Sequence, residues 1–192
     1  MIPRFVFLSI ICSLAACVSA SPAAAWRLEA MRGQVAFGYS RLAGGAESPA
    51  GSIGLLASVD HPMVGVWRIG PAVSFSLLGS TQIERDGVPG GLDHSMLDGA
   101  LLVHRTFARG PLARLSFGPG LASARAELQV AGGGATLSSE AVGEVRPCAA
   151  IEALFAPRTK SGVSVGAALG ARFVPLEDRT WSVWSARLAI SY

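Results

Sequence analysis

The 192-residue chain has a single lysine, Lys160, and only 15% of its residues are charged. Its formal charge of +3 therefore rests on scattered arginines, with no basic stripe to follow a phosphate backbone, and nucleic acid is not an expected partner. Cysteine is equally scarce. Cys12 and Cys17 lie in the first 25 residues, which leaves Cys148 alone and rules out an intramolecular disulfide in the remainder. A catalytic thiol would need a histidine partner, and no local motif supplies one, so Cys148 reads as a small packing residue. No H-x-x-x-H or C-x-x-C spacing occurs, so no metal or other cofactor is expected. No apolar run reaches the roughly 20 residues that a membrane-spanning helix needs. Hydrophobic residues nevertheless make up 51% of the chain, which excludes a disordered polyelectrolyte. With 23 glycines and 11 prolines, that apolar content favours strands and turns in one domain.

The N-terminus has the parts of a secretory signal peptide: one positive charge at Arg4, an apolar stretch from Phe5 to Val18, and small residues up to Ala25. Residues 1–25 are assigned to a cleaved signal, cut after Ala25, with Ala20 as the alternative. Leu14-Ala15-Ala16-Cys17 supplies a rival reading, because it resembles a lipoprotein lipobox in which the Cys17 thiol carries lipid.

Beyond residue 30 the dominant signal has period two, the mark of strands with unlike faces. Trp67, Ile69, Pro71, Val73, Phe75 and Leu77 alternate with Arg68, Gly70, Ala72, Ser74 and Ser76. Similar alternation recurs around residues 34–40, 53–60, 96–107, 114–122, 142–156, 163–173 and 184–192, which makes eight strands. Leu102 and Leu154 break the pattern by falling on the polar face. Long polar links are expected at 41–51, 79–95, 127–141 and 175–180, and short ones at 61–64, 108–111 and 157–162. Pro71 and Pro119 fall in mid-strand, each after a glycine, where a bulge is expected.

Eight strands joined alternately by short turns and long loops predict an all-β, eight-stranded antiparallel up-and-down transmembrane β-barrel over residues 26–192. In lipid every backbone group must be paired, so a sheet has to close on itself and show the hydrocarbon an apolar face. Here the large apolar residues share one face, while arginines share the other with glycine, alanine and serine. A soluble barrel inverts this arrangement. The main rival is accordingly a secreted or periplasmic soluble barrel binding an apolar ligand, which requires the Trp67–Leu77 odd face to point inward.

The final run is Trp184-x-Ala186-x-Leu188-x-Ile190-x-Tyr192. With the signal segment and the loop alternation, it makes the chain resemble the small eight-stranded outer-membrane β-barrel proteins of diderm bacteria. The resemblance implies that Leu188, Ile190 and Tyr192 form the signal read by the barrel assembly machinery, although a terminal Phe is commoner there than Tyr. It also implies outer-membrane lipid and lipopolysaccharide as surroundings, and a monomer is expected. It names no activity.

The inward face is expected to hold a polar network of Arg68, Arg114, Glu152, Arg172 and Arg187. Arg32 and Arg146 are read as further inward arginines, and Asp60, Asp98 and Glu144 as inward acids. An eight-stranded interior is narrow enough for side chains to fill, so a general diffusion pore is not expected. The expected role is non-enzymatic: envelope integrity, surface interaction or passage of a small solute. A lipid-modifying enzyme is the third possibility, resting on Asp93, His94, Ser95 and Asp98. Successive strand residues point to opposite faces, which counts against that set. The aromatic residues Tyr39, Trp67, Phe107, Phe155, Trp181 and Trp184 suit an interfacial girdle. The acids of the long links, Glu47, Glu84, Asp86, Asp93, Glu127, Glu140, Glu177 and Asp178, are read as solvated loop charge, with divalent-cation binding as the alternative.

Overall fold

The computed structural model describes residues 31–43, 51–85, 88–132, 135–141, 145–157, 162–175 and 180–192. These form nine strands: β1 (Arg32–Ala43), β2 (Ser52–Pro62), β3 (Trp67–Arg85), β4 (Val88–Thr106), β5 (Leu112–Gly132), β6 (Ala135–Ala141), β7 (Val145–Phe155), β8 (Ser164–Pro175) and β9 (Thr180–Ser191). β6 and β7 pair with successive stretches of β5, the first with 126–132 and the second with 112–123. They share one position in the wall, which therefore has eight staves. β4 pairs with β5, and β1 pairs with β9, so the antiparallel sheet closes into a barrel without a free edge along its body. Closure runs to the last residue, where the Gly33 and Tyr192 backbones exchange hydrogen bonds of 2.9 and 3.0 Å.

Closure turns the period-two pattern into an inside and an outside. Along β2 the exposed residues are Ile53, Leu55, Ala57 and Val59, and the buried ones are Gly54, Leu56, Ser58 and Asp60. The odd face of β3 points outward, with Val73, Phe75 and Leu77 all exposed. Ile53 is 61% exposed and Leu121 60%, whereas Asp60 and Asp98 are each 1% exposed. The apolar side chains thus form an outer belt, and Asp60, Arg68, Asp98, Arg114, Glu152, Arg172 and Arg187 are enclosed. An internal apolar ligand site on the Trp67–Leu77 odd face is excluded by that orientation. Leu102 and Leu154 keep their register and pack inward in small apolar clusters.

The two prolines are accommodated without a bulge. Pro71 stays in register with Leu101 of β4, and Pro119 with Ala149 of β7. The pairing lapses instead on the other side of each, at Val59 and Asp60 of β2 and at Leu101 and Leu102 of β4. A proline has no N–H to give, so the ladder loses a rung on one side only. The preceding glycines accept the closeness that follows. A Cβ at Gly70 would lie 1.8 Å from the Val59 carbonyl oxygen, and one at Gly118 would lie 2.0 Å from that of Leu101. The register shifts fall elsewhere, at Leu77/Gly79 and Leu112/Arg114.

Two of the expected long loops are strands. β3, β4 and β5 run 19, 19 and 21 residues, against 11 or 12 for β1, β2, β7, β8 and β9. β3 pairs with β4 up to Arg85↔Val88, β4 with β5 up to Gly90↔Val130, and β5 with β6 up to Gly132↔Ala135. The result is a four-stranded flap that continues one side of the barrel wall past the ends of the shorter strands. From Gly79 to Arg85 it extends roughly 20 Å at the usual rise per strand residue. Polar composition at 79–95 and 127–141 reads as loop, yet extended pairing needs no apolar face.

Candidate functional site

The interior is built in layers, beginning at the end where short turns join the strands. Inward positions on β1, β2, β3, β5 and β7 contribute Gln34, Asp60, Arg68, Arg114 and Glu152. Arg68 Nε donates to Asp60 Oδ1 in a close pair. Arg114 Nη1 reaches the other Asp60 oxygen at 3.1 Å, and its Nη2 reaches Glu152 Oε1 at 3.4 Å. Gln34 Nε2 donates to the same Glu152 oxygen at 3.1 Å. This makes one crossbar, β3–β2–β5–β7–β1, spanning the lumen. Beside it, His104 Nδ1 lies 2.8 Å from Ser116 Oγ.

A second, shorter crossbar lies further along. Asp98 of β4 accepts from Ser74 Oγ of β3 in a close bond, and from Arg172 Nε of β8 at 2.9 Å. Beyond it comes an apolar cluster: Leu42, Leu78, Met96, Ala122, Cys148, Val174 and Val183 pack together, with Trp181 against them. Met96, Leu78, Val174 and Val183 are almost completely enclosed. An apolar plug over two ionic crossbars opposes the passage of hydrated ions, because nothing in the plug replaces their water.

Arg187 stands apart. It projects inward from β9, is 5% exposed, and has a buried Nε without a hydrogen-bond partner. Asp60, Asp98 and Glu152 are all engaged by other side chains. Arg32 lies exposed at the start of β1, outside the enclosed network, while Arg146 is half-buried on the inward side of β7, in register with Ala122. The period-two reading misplaces Arg32 because it cannot tell a strand's rim from its middle. Conversely, the crossbars recruit Gln34, Ser74 and Asp60, whose importance as bridging partners had no signal beyond their place on the polar face.

The Asp93, His94, Ser95, Asp98 set does not assemble. Asp98 is committed to Arg172 in the lumen. Asp93 accepts from Ser80 Oγ in a close bond on the flap. His94 Nε2 sits 3.1 Å from Thr81 Oγ1, and its ring meets Trp181 edge-on at 6.0 Å. The β pleat puts His94 and Asp98 on one face and Asp93 and Ser95 on the other, and no nucleophile–base–acid line results. Trp181 also departs from the expected girdle, since it turns toward the plug. Tyr39, Trp67, Phe155 and Trp184 face outward. Trp67 and Phe107 flank the outward Arg105, whose guanidinium carbon lies 5.7 and 5.3 Å from the two rings.

Among the described residues no group of histidine, cysteine and carboxylate side chains is arranged to hold a metal ion. Glu47, Asp86, Glu177 and Asp178 lie outside the described residues, as do Glu144, Cys17, Ala20 and Ala25. Cys148 is buried and unbridged. A shallow depression of about 440 Å³ at the short-turn end, lined by Gly110, Pro111, Phe155, Ala156 and Pro157, offers only apolar contact and backbone.

No family model and no curated protein matches the sequence. Solved structures do match the fold. Neisserial surface protein A superposes with a TM-score of 0.56 at 10% identity, over 84% of this chain and 96% of that one. Ail, the attachment invasion locus protein of Yersinia pestis, in a complex with the heparin analogue sucrose octasulfate, gives 0.50 at 10% identity, over 84% and 97%. The chain is similar to these small outer-membrane barrels in fold.

Proposed function

We propose that this chain is an integral outer-membrane protein of a diderm bacterium, exported by residues 1–25 and embedded as a barrel from residue 26 onward. It acts as a non-enzymatic surface protein rather than as a channel. One observation carries the reading: a closed barrel with an apolar belt outside and its charges inside is stable only with hydrocarbon around it. In water the same belt would be a continuous exposed apolar surface far beyond what soluble monomers tolerate.

The apolar plug argues against solute passage, and the dispersal of His94, Ser95 and Asp98 argues against lipid hydrolysis. What remains is the flap, in which, among the described residues, the outer edges of β3 and β6 have no strand partner beyond the barrel body. Backbone N–H and C=O groups at such edges are ready to engage a partner. In this reading the flap stands outside the cell, both chain termini of the mature protein face the periplasm, and Leu188, Ile190 and Tyr192 guide insertion by the assembly machinery. Lipopolysaccharide surrounds the belt on the flap side.

Two measurements test this. Membrane fractions run on a denaturing gel with and without boiling should yield a heat-dependent mobility shift, confined to the outer-membrane fraction. In intact cells a membrane-impermeant maleimide should label Ser80→Cys on the flap while leaving the buried Cys148 of the parent protein unlabelled. A soluble product with no shift refutes the membrane assignment, and labelling of Ser80→Cys only after cell lysis refutes the orientation.

A further inference from the structure

The enclosed charges do not balance. Among the described residues, Arg68, Arg114, Arg172 and Arg187 are buried in the lumen against Asp60, Asp98 and Glu152, four positive against three negative with histidine neutral. All three acids are already bonded, Asp60 to two arginines, Glu152 to Arg114 and Gln34, and Asp98 to Arg172 and Ser74. Arg187 is the surplus. Arg187 is in contact with none of these acids, although Glu152 Oε2 is also buried without a hydrogen-bond partner, and an enclosed guanidinium without a contact partner is strongly unfavourable because burial removes its water.

The space around Arg187 is lined by very small residues. Its cross-strand partner on β1 is Gly38, and its Nε would lie 3.3 Å from a Cβ at Gly54 of β2. Ser76 donates across Gly54 to Ser40 at 3.2 Å, so Ser40 keeps its own proton to donate elsewhere. Gly170, Ser185 and Ser40 follow one another as cross-strand partners on β8, β9 and β1. At the β8 end of that row, Arg172 spends Nε on Asp98 and Nη1 on the Ala171 carbonyl, and its buried Nη2 has no partner. Unused donors thus flank one glycine- and serine-lined layer, directly beneath the apolar plug.

We propose that this layer is a binding site for one small monovalent anion, chloride in the cell, held by Arg187 with Arg172 Nη2 and the Ser40 hydroxyl. The single surplus charge sets the valence, and the narrow lumen sets the size. The anion completes the ionic layer and locks β9 to β2 and β8 across the interior. The inference needs only the closed barrel, and it stands whatever the flap binds.

Bromide is the probe. The purified, folded barrel in detergent is heated at constant ionic strength in sodium bromide, chloride or gluconate, and unfolding is followed by loss of the fast-migrating gel form. Halides should raise the midpoint relative to gluconate, and half-saturation should require at least tenfold more bromide in Arg187→Met. Crystals grown in bromide should show an anomalous peak within hydrogen-bond distance of Arg187 and Arg172. That second measurement uses the unaltered protein and stands even where Arg187→Met does not fold. Equal midpoints in all three salts, a halide effect that survives unchanged in Arg187→Met, or bromide peaks only elsewhere would each overturn the assignment and leave hydration alone to serve the guanidinium.

Discussion

The barrel body and the flap share three long strands, β3, β4 and β5, yet the two regions behave differently. Within the body, burial alternates residue by residue, as in Ser74, Phe75, Ser76, Leu77 and Leu78. Along the flap portion of β4, residues 90–95 are all half-buried, and so are 123–128 of β5. Both regions are antiparallel sheet, and β4 is paired on both sides along most of its length in each, so hydrogen bonding is not what separates them. Closure is. Only where the sheet meets itself does one face lose solvent completely, and only there does a charge need a partner.

The sharpest way to break this contrast is to remove an acid from the body. Asp60→Ala strips two buried guanidinium groups of their shared partner and should cost about 3–5 kcal/mol, measured by denaturant unfolding in micelles. Next is the plug. Leu78→Ala opens a cavity among Leu42, Met96 and Val174 and should cost about 2–5 kcal/mol. The same variant should raise single-channel current in planar bilayers above that of the parent protein, and an unchanged trace would mean the plug is not the barrier.

On the outer face, Leu55→Arg puts a guanidinium into the belt between Phe37 and Phe75 and should cost about 2–4 kcal/mol when the barrel is folded into bilayers. The flap should hardly respond. Ser80→Ala removes an exposed bond to Asp93 and should change stability by about 0.5 kcal/mol or less. Equal sensitivity at Ser80 and Asp60 would show that the flap, too, has an interior.

Much of the architecture was legible because a strand's side chains alternate with a fixed period. Trp67 through Leu77 could be sorted into two faces before any pairing was known, and the odd one points outward. The flap was not legible, since the rule used to find strands looks for unlike faces, and residues 90–95 are half-buried on both. The expected bulges at Pro71 and Pro119 followed from counting lost hydrogen bonds. The structure keeps register and drops the rung toward one neighbour, a choice set by which strand stands beside each proline. Trp181 could not be told from Trp184 by composition, yet it turns toward the plug and His94.

From the sequence alone come the strand number, the sidedness of the wall and the place of Arg68, Arg114, Arg172 and Arg187 on its small-residue face, because each depends only on neighbours along the chain. The tertiary structure alone decides who meets whom across the lumen. Asp60 and Arg114 are 54 residues apart, Asp98 and Arg172 are 74 apart, and Gln34 and Glu152 are 118 apart. Those distances collapse only when the barrel closes, and the same closure that pairs three acids with three arginines leaves Arg187 without one.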